Sequence, residues 1–184
     1  MHSLAGQLLI AMPQMEDTRF RRTVVYLCAH DGEGAMGLVV NRLHGSLTLA
    51  ALLGTLQIPA AGLAGASPVH VGGPVDAARG FVLHSDDYME EESRKVGDGL
   101  ALTATLGILH AIGRGAGPRR RFLALGYSGW GPGQLDRELQ QNGWLHVPAD
   151  EALLFDGDLE SKWQRALAKL GVDLSMLSSA AGHA

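Results

Sequence analysis

Glycine punctuates this chain from end to end: it supplies 25 of 184 residues, roughly twice the usual share of about 7%, and no single linker gathers it. That spread implies many tight turns rather than disorder. Apolar residues make up 46% of the chain, enough to bury a substantial core. The length fits one domain, expected over residues 3–177, with a flexible tail over 178–184. No apolar run reaches the 18 or so residues of a membrane span. The net charge is −4, so no global basic field draws nucleic acid or anionic lipid. Cys28 is the single cysteine, which excludes an intramolecular disulfide, and the start shows no basic segment followed by an apolar one. A reducing cytoplasm is the expected compartment.

Between the glycines the patterns are legible. Residues 6–11 (GQLLIA), 23–30 (TVVYLCAH) and 35–41 (AMGLVVN) read as strands, the last two joined as a hairpin around Asp31-Gly32. Residues 47–56 read as a buried helix with Thr48 as its cap, and 59–68 as a small-residue loop. Residues 69–71 and 80–84 read as strands, 85–93 as an exposed acidic loop, and 100–112 as a strand end followed by a helix. Residues 121–127 return as a strand and 144–147 as a short one. Helices are expected over 132–142, with Gly131 capping, and 158–170, with Asp158 as N-cap and Gly171 just past the end. The buried stripe of the last helix would be Leu159, Trp163, Ala166, Leu167 and Leu170.

Motifs that could carry chemistry fall short on spacing or setting. Gly32, Gly34 and Gly37 match G-x-G-x-x-G, but a dinucleotide site needs a helix next, and Leu38-Val39-Val40 is strand-like. Ser128 lies between a strand and a helix, as a nucleophile elbow would, but Trp130 stands where the second glycine belongs. His30, His70 and His84 sit at strand ends without metal-ligand spacing. Asp86, Asp87, Glu90, Glu91 and Glu92 lack the spacing of a calcium loop. Arg114, Arg119, Arg120 and Arg121 form the basic cluster, with Phe122 the one aromatic beside it. No catalytic residue, metal or cofactor is expected.

The strings GQLLIAMPQMEDTRF, HDGEGAMGLVVNR, VGGPVDAARGFVLHS, GYSGWGPGQLDREL with NGWL, and LLFDGDLESKWQRAL, in that order, resemble the AlgH/YqgE family of bacterial proteins over about residues 6–171. The resemblance implies an α+β fold, in which a strongly bent, bifurcated mixed sheet forms a partial barrel packed with helices. It also implies a regulatory role, since family members are described as transcriptional regulators. Leu43 replaces the family's usual proline, and Ser128 its usual alanine.

Three functional expectations follow. The first is a non-enzymatic regulatory or interaction protein with a protein partner, monomeric or weakly self-associating. The second is a small-ligand protein or enzyme with a polar, glycine-lined cleft drawing on Asn41, Arg42, Gly72, Gly73, Arg79, His84, Trp130, Gln134 and Glu138. The third is direct nucleic-acid binding through the arginines at 114–121, which the acidic net charge disfavours.

Overall fold

The computed structural model describes residues 2–60 and 66–171. The loop expected over 59–68 lies partly outside these residues, and the tail expected over 178–184 wholly so. In chain order the elements are β1 (Gln7–Ala11), β2 (Val24–Asp31), β3 (Gly34–Val39), β4 (Leu43–Thr48), α1 (Leu49–Thr55), β5 (Pro68–Val71), β6 (Val75–Ser85), β7 (Arg94–Gly97), β8 (Leu100–Thr103), α2 (Leu106–Gly113), β9 (Arg121–Trp130), α3 (Gln134–Gln140), β10 (Trp144–Pro148), α4 (Glu151–Phe155) and α5 (Lys162–Lys169). The α+β class expected from the sequence is borne out. The chain divides into two compact units, one running to Arg42 and resuming at Ser128, the other spanning Leu43–Tyr127.

In the first unit, β10, β1, β2, β3 and the end of β9 pair antiparallel in that order. Val24, Val25, Tyr26 and Leu27 of β2 are all buried, which explains a continuous apolar run instead of an alternating one: both faces of the strand are covered. One face carries Leu9, Val25, Leu27 and Val39 against Leu135 of α3, Trp130 and Trp144. α5 packs against β1 and β2, and the Trp163 indole donates to the Ala11 carbonyl at 2.7 Å. Trp163, Ala166 and Leu167 are buried as the stripe requires, and Gly171 is left-handed just past the helix. Leu170, by contrast, is 40% exposed.

In the second unit, β9 pairs parallel with β5 and antiparallel with β6; β6 continues to β8 and β7, and β4 pairs with β5. α1 and α2 bury Leu49, Leu53, Ile108 and Ile112 against Val69, Val82 and Leu123.

Several boundaries differ from the sequence reading. Thr48 does cap α1, accepting from the Ala51 amide, but residues 43–48 before it form β4. β6 begins at Val75 instead of residue 80, because its first half (Val75 to Arg79) is exposed and shows no apolar alternation. β7 and α4 were not expected: β7 is short and half exposed, and α4, though apolar, is only five residues long, too short to show a helical period; Asp150 caps α4 through the Leu153 amide. α5 starts at Lys162, so Asp158 is not its cap and accepts from the Ser161 hydroxyl instead. α3 is capped by Gly133, not Gly131. Residues 126–130 continue β9 through Trp130, so Ser128 is a buried strand residue and not the tip of a turn.

Lys162 is fully buried and donates to the Leu154 carbonyl at 3.2 Å. Burial pulls its amine down from 10.5 to about 8. The unfolded chain therefore binds more protons than the native one between about pH 8 and 10.5, and stability rises with pH across that window. Lys162→Met, which keeps the volume without the charge, should abolish this contribution, worth up to about 3 kcal/mol. Buried Cys28, with its thiol pushed up to about 12, acts in the opposite sense at alkaline pH. The measurement is thus the difference in urea unfolding between the variant and the parent from pH 7 to 9, which should shrink as pH rises.

Candidate functional site

The second unit holds a cleft of about 200 Å³. α1 supplies Leu52 and its C-cap Leu56, β6 supplies Ala78, Gly80 and Val82, β9 supplies Leu123 and Leu125, and the β8–α2 junction with the first turn of α2 supplies residues 103–106 and Leu109. Leu56 and Leu106, which line it, are 42% and 59% exposed. Gly80 leaves room in the floor: a Cβ there would meet Leu123 and Leu125 only at 3.5 and 3.9 Å.

Behind the threonines of this cleft runs a buried polar chain. His84 is fully buried, and desolvation pulls its pKa down despite the opposing effects of the Ser85 carbonyl and nearby carboxylates. Its Nδ1 lies 2.8 Å from the Ser85 carbonyl, an acceptor only, so the proton of the neutral ring sits on Nδ1. Nε2 must then accept, and the Thr103 hydroxyl donates to it at 2.7 Å. Thr103 has spent its one proton, so the Ser93 hydroxyl, 2.7 Å away, donates to Thr103, while the Glu90 amide donates to Ser93 at 2.9 Å.

The Glu90 carboxylate accepts from Thr105 at 2.7 Å and from the Tyr88 phenol. It sits over the first turn of α2, 3.0 Å from where a Gly107 Cβ would lie, where a helix N-terminus favours negative charge. Burial, then the bond to Glu90, pushes Tyr88 up to about 12. Its ring meets His84 edge-on at 6.2 Å. The result is a hydrogen-bonded polar backing to a largely apolar cleft, with the Thr103 and Thr105 protons directed to His84 and Glu90.

The residues expected to form a polar cleft serve more local roles. In the first unit, Trp130, Gln134 and Glu138 do come together. Glu138 Oε1 accepts from the indoles of Trp130 at 3.2 Å and Trp144 at 2.9 Å, and Oε2 accepts from Gln134 at 2.8 Å. Asn41 accepts from the Val24 amide and donates to the Arg22 carbonyl, while Arg42 donates to the carbonyls of Thr18, Arg19 and Arg21; together they fix the loop before β2. In the second unit, the Gly72 amide donates to Leu125, and the Gly73 carbonyl lies against Gly126. Exposed Arg79 lies 5.0 Å above the Phe81 ring.

His84 is the one residue of the expected set that belongs to the cleft's backing. Tyr88, Glu90 and Ser93 were missed as residues of this backing because 85–93 read as a solvated acidic loop, and Thr103 and Thr105 because 100–112 read simply as a strand end and a helix. The signals that could have found them were an aromatic inside an acidic run and Thr105 ahead of an apolar helix.

The other candidate motifs are also placed. His30 accepts from the Leu4 amide and faces Asp136 at 3.4 Å, and His70 stacks on Phe122 at 4.7 Å. Arg119 pairs with Asp87 through its backbone amide and guanidinium, and Arg121 donates to the Pro118 carbonyl. Among the described residues no group of three or more His, Cys, Asp or Glu could hold a metal, and no helix is long and apolar enough to cross a membrane.

A family model described as AlgH-like matches residues 8–175. The chain belongs to the AlgH-like family. A UPF0301 protein of Afipia carboxidovorans is 54% identical to this AlgH-like chain over 98% of its length and 90% of the relative's. One of Nitrobacter hamburgensis is 55% identical over 98% and 88%. The solution structure of the AlgH protein from Pseudomonas aeruginosa matches with a TM-score of 0.79 at 42% identity, covering 97% of this chain and 95% of that one. A Corynebacterium diphtheriae protein shares the fold at 19% identity, with a TM-score of 0.76.

Proposed function

We propose that this AlgH-like chain is a non-enzymatic, cytoplasmic binding protein of the regulatory kind, which senses a small ligand in the cleft of its second unit. The observation that carries the reading is the cleft itself. It is leucine-lined, flanked by Leu56 and Leu106 and backed by a polar network whose groups already bond one another. A closed cavity of roughly 150 Å³ lined by leucine, isoleucine and phenylalanine takes benzene; this cleft, partly open and with two threonines in its wall, holds about 200 Å³.

The same network supports the non-enzymatic side. The Thr103 hydroxyl is almost wholly buried and is held by both His84 and Ser93, which leaves it poorly placed as a nucleophile. A regulatory role is what the resemblance to the AlgH/YqgE family implies, and a protein partner that responds to the ligand completes the proposal. Direct DNA binding is not part of it, given the net charge of −4 and the partners already engaged by Arg119 and Arg121.

Gly80→Leu tests the reading. The added side chain grows into the cleft from a strand position where a Cβ meets only the Leu123 and Leu125 side chains, at ordinary contact distance. Saturation-transfer NMR with benzene and indole should show binding to the parent protein and at least tenfold weaker binding to the variant, with folding unchanged by circular dichroism. Equal binding by both proteins would contradict the assignment of the cleft.

A further inference from the structure

We infer that the ligand of this cleft is a largely apolar molecule carrying one hydrogen-bond donor, a hydroxyl or an N–H, and that Thr105 is the acceptor that selects it. The inference rests on the reading of the cleft as a ligand site and names the chemistry that distinguishes one ligand of that size from another.

Thr103 and Thr105 are the polar side chains among the lining residues. Thr103 is 1% exposed, whereas Thr105 is only half-buried, so Thr105 is the one a ligand reaches. A threonine hydroxyl has one proton and two lone pairs. The Thr105 proton goes to the Glu90 carboxylate at 2.7 Å. One lone pair takes the Ile108 amide at 3.3 Å, which makes Thr105 the N-cap of α2. The second lone pair remains. Thr105 can therefore accept from a ligand, and cannot donate to one without giving up Glu90.

The proton is not easily re-aimed. Glu90 also receives the Tyr88 phenol, so turning Thr105 outward would take away one of the two side-chain donors of a carboxylate. A hydrogen bond to an ionised acceptor is about twice as strong as one between neutral groups. A neutral ligand acceptor is a weaker partner for that proton than the carboxylate it would leave.

The same carboxylate sets the sign of the field at the wall. It lies one hydroxyl behind the cleft surface, where its charge favours the hydrogen of a donor and opposes the oxygen of an ether or carbonyl. The positive end of α2 would act the other way, but Glu90 already sits over it, 3.0 and 3.1 Å from where a Gly107 Cβ would lie. A ligand O–H, Thr105 and Glu90 form one chain of donors ending on an anion, in which each bond polarises the next. The other lining side chains are leucine, valine, alanine and glycine, so the rest of the polar wall is main chain. Peptide groups bring N–H and C=O alike, and the preference comes from Thr105.

The experiment compares p-cresol with 4-methylanisole, in which a methyl cap removes the donor and keeps the oxygen. The same pair without oxygen, p-xylene and 4-ethyltoluene, measures the effect of the larger size. All four are titrated into the full-length protein and followed by methyl chemical shifts of the leucines. The preference for p-cresol over its ether should exceed the hydrocarbon ratio about fivefold, as one ordinary hydrogen bond requires. Intermolecular NOEs should join the ring protons beside the cresol hydroxyl to the Thr105 methyl. Thr105→Ser should keep the preference. Thr105→Val, nearly equal in shape but lacking the oxygen, should abolish it; circular dichroism checks its fold, and the ratios on the parent protein stand without it. Equal ratios for the two pairs, or a preference that survives Thr105→Val, overturns the inference while leaving the cleft a ligand site. Failure of all four to bind, or binding unchanged in Gly80→Leu, overturns the reading of the cleft itself.

Discussion

Glu138→Ala lowers the stability of the protein by about 2–4 kcal/mol, because two buried indole N–H groups each lose an acceptor whose loss costs about 1–3 kcal/mol. Trp130 and Trp144 are 7% and 2% exposed, so water does not readily replace the carboxylate. Their rings also stack edge-on at 5.9 Å, with Phe20 against both, so disturbing one disturbs the other. Glu138→Gln keeps an oxygen for the indoles but turns an amide toward the Gln134 amide. Gln134 cannot simply flip, since its oxygen holds the Gly131 amide at 2.9 Å. The glutamine variant should therefore lose about 1 kcal/mol, one ordinary hydrogen bond. Urea unfolding with tryptophan emission measures both, and the alanine variant should show red-shifted emission in the native baseline. A residue held for binding or catalysis behaves in the opposite way, its removal leaving stability unchanged or raised. A neutral or stabilising Glu138→Ala would therefore return Trp130, Gln134 and Glu138 to the candidate binding residues.

Gly34→Ala should be more damaging still, about 3–5 kcal/mol, while Gly32→Ala two residues away should be close to neutral. A Cβ on Gly34 would lie 2.3 Å from the Trp130 carbonyl oxygen, at a backbone φ of +141°. Left-handed strain and overpacking each cost about 1–3 kcal/mol, and the clash is with backbone on a paired strand, which cannot swing aside. Gly32 has nothing within 4 Å of its would-be Cβ. The contrast decides what the G-x-G-x-x-G spacing is for. As a phosphate cradle it would need Gly32 as much as Gly34; as a hairpin it needs glycine only where β3 runs against β9 and β2. Thermal denaturation of both variants measures it, and equal effects would contradict the packing explanation.

The sequence carried the β2–β3 hairpin and most of the apolar strands because burial writes itself directly into apolar runs and turn chemistry. Thr48 as a cap and Gly171 past the last helix were legible for the same local reason. Elements held by backbone pairing with little burial were not: Arg94–Gly97 and the first half of Val75–Ser85 look like loop because their side chains face solvent. The candidate site was legible in one residue, His84. Glu90 and Tyr88 sit in a run that reads as solvated, and only the fold shows that their side chains turn inward to cap α2. Conversely, Asn41, Arg42 and Glu138 stand out in the sequence as polar residues at element ends and on a helix face, and in the fold each bonds its own surroundings. A polar residue at a strand end has the same appearance in sequence whether its partner is the neighbouring backbone or a ligand.

The cleft between Leu52, Val82, Leu109 and Leu123 is tested most directly by xenon. A crystal of the protein pressurised with xenon should show a strong anomalous peak inside this cleft, as leucine-lined hollows of about this size take xenon, and none in the cleft of Gly80→Leu. Ordered water hydrogen-bonded within the cleft of the parent protein, with no xenon there, would contradict the assignment of this AlgH-like protein as a receptor for a small, largely apolar ligand.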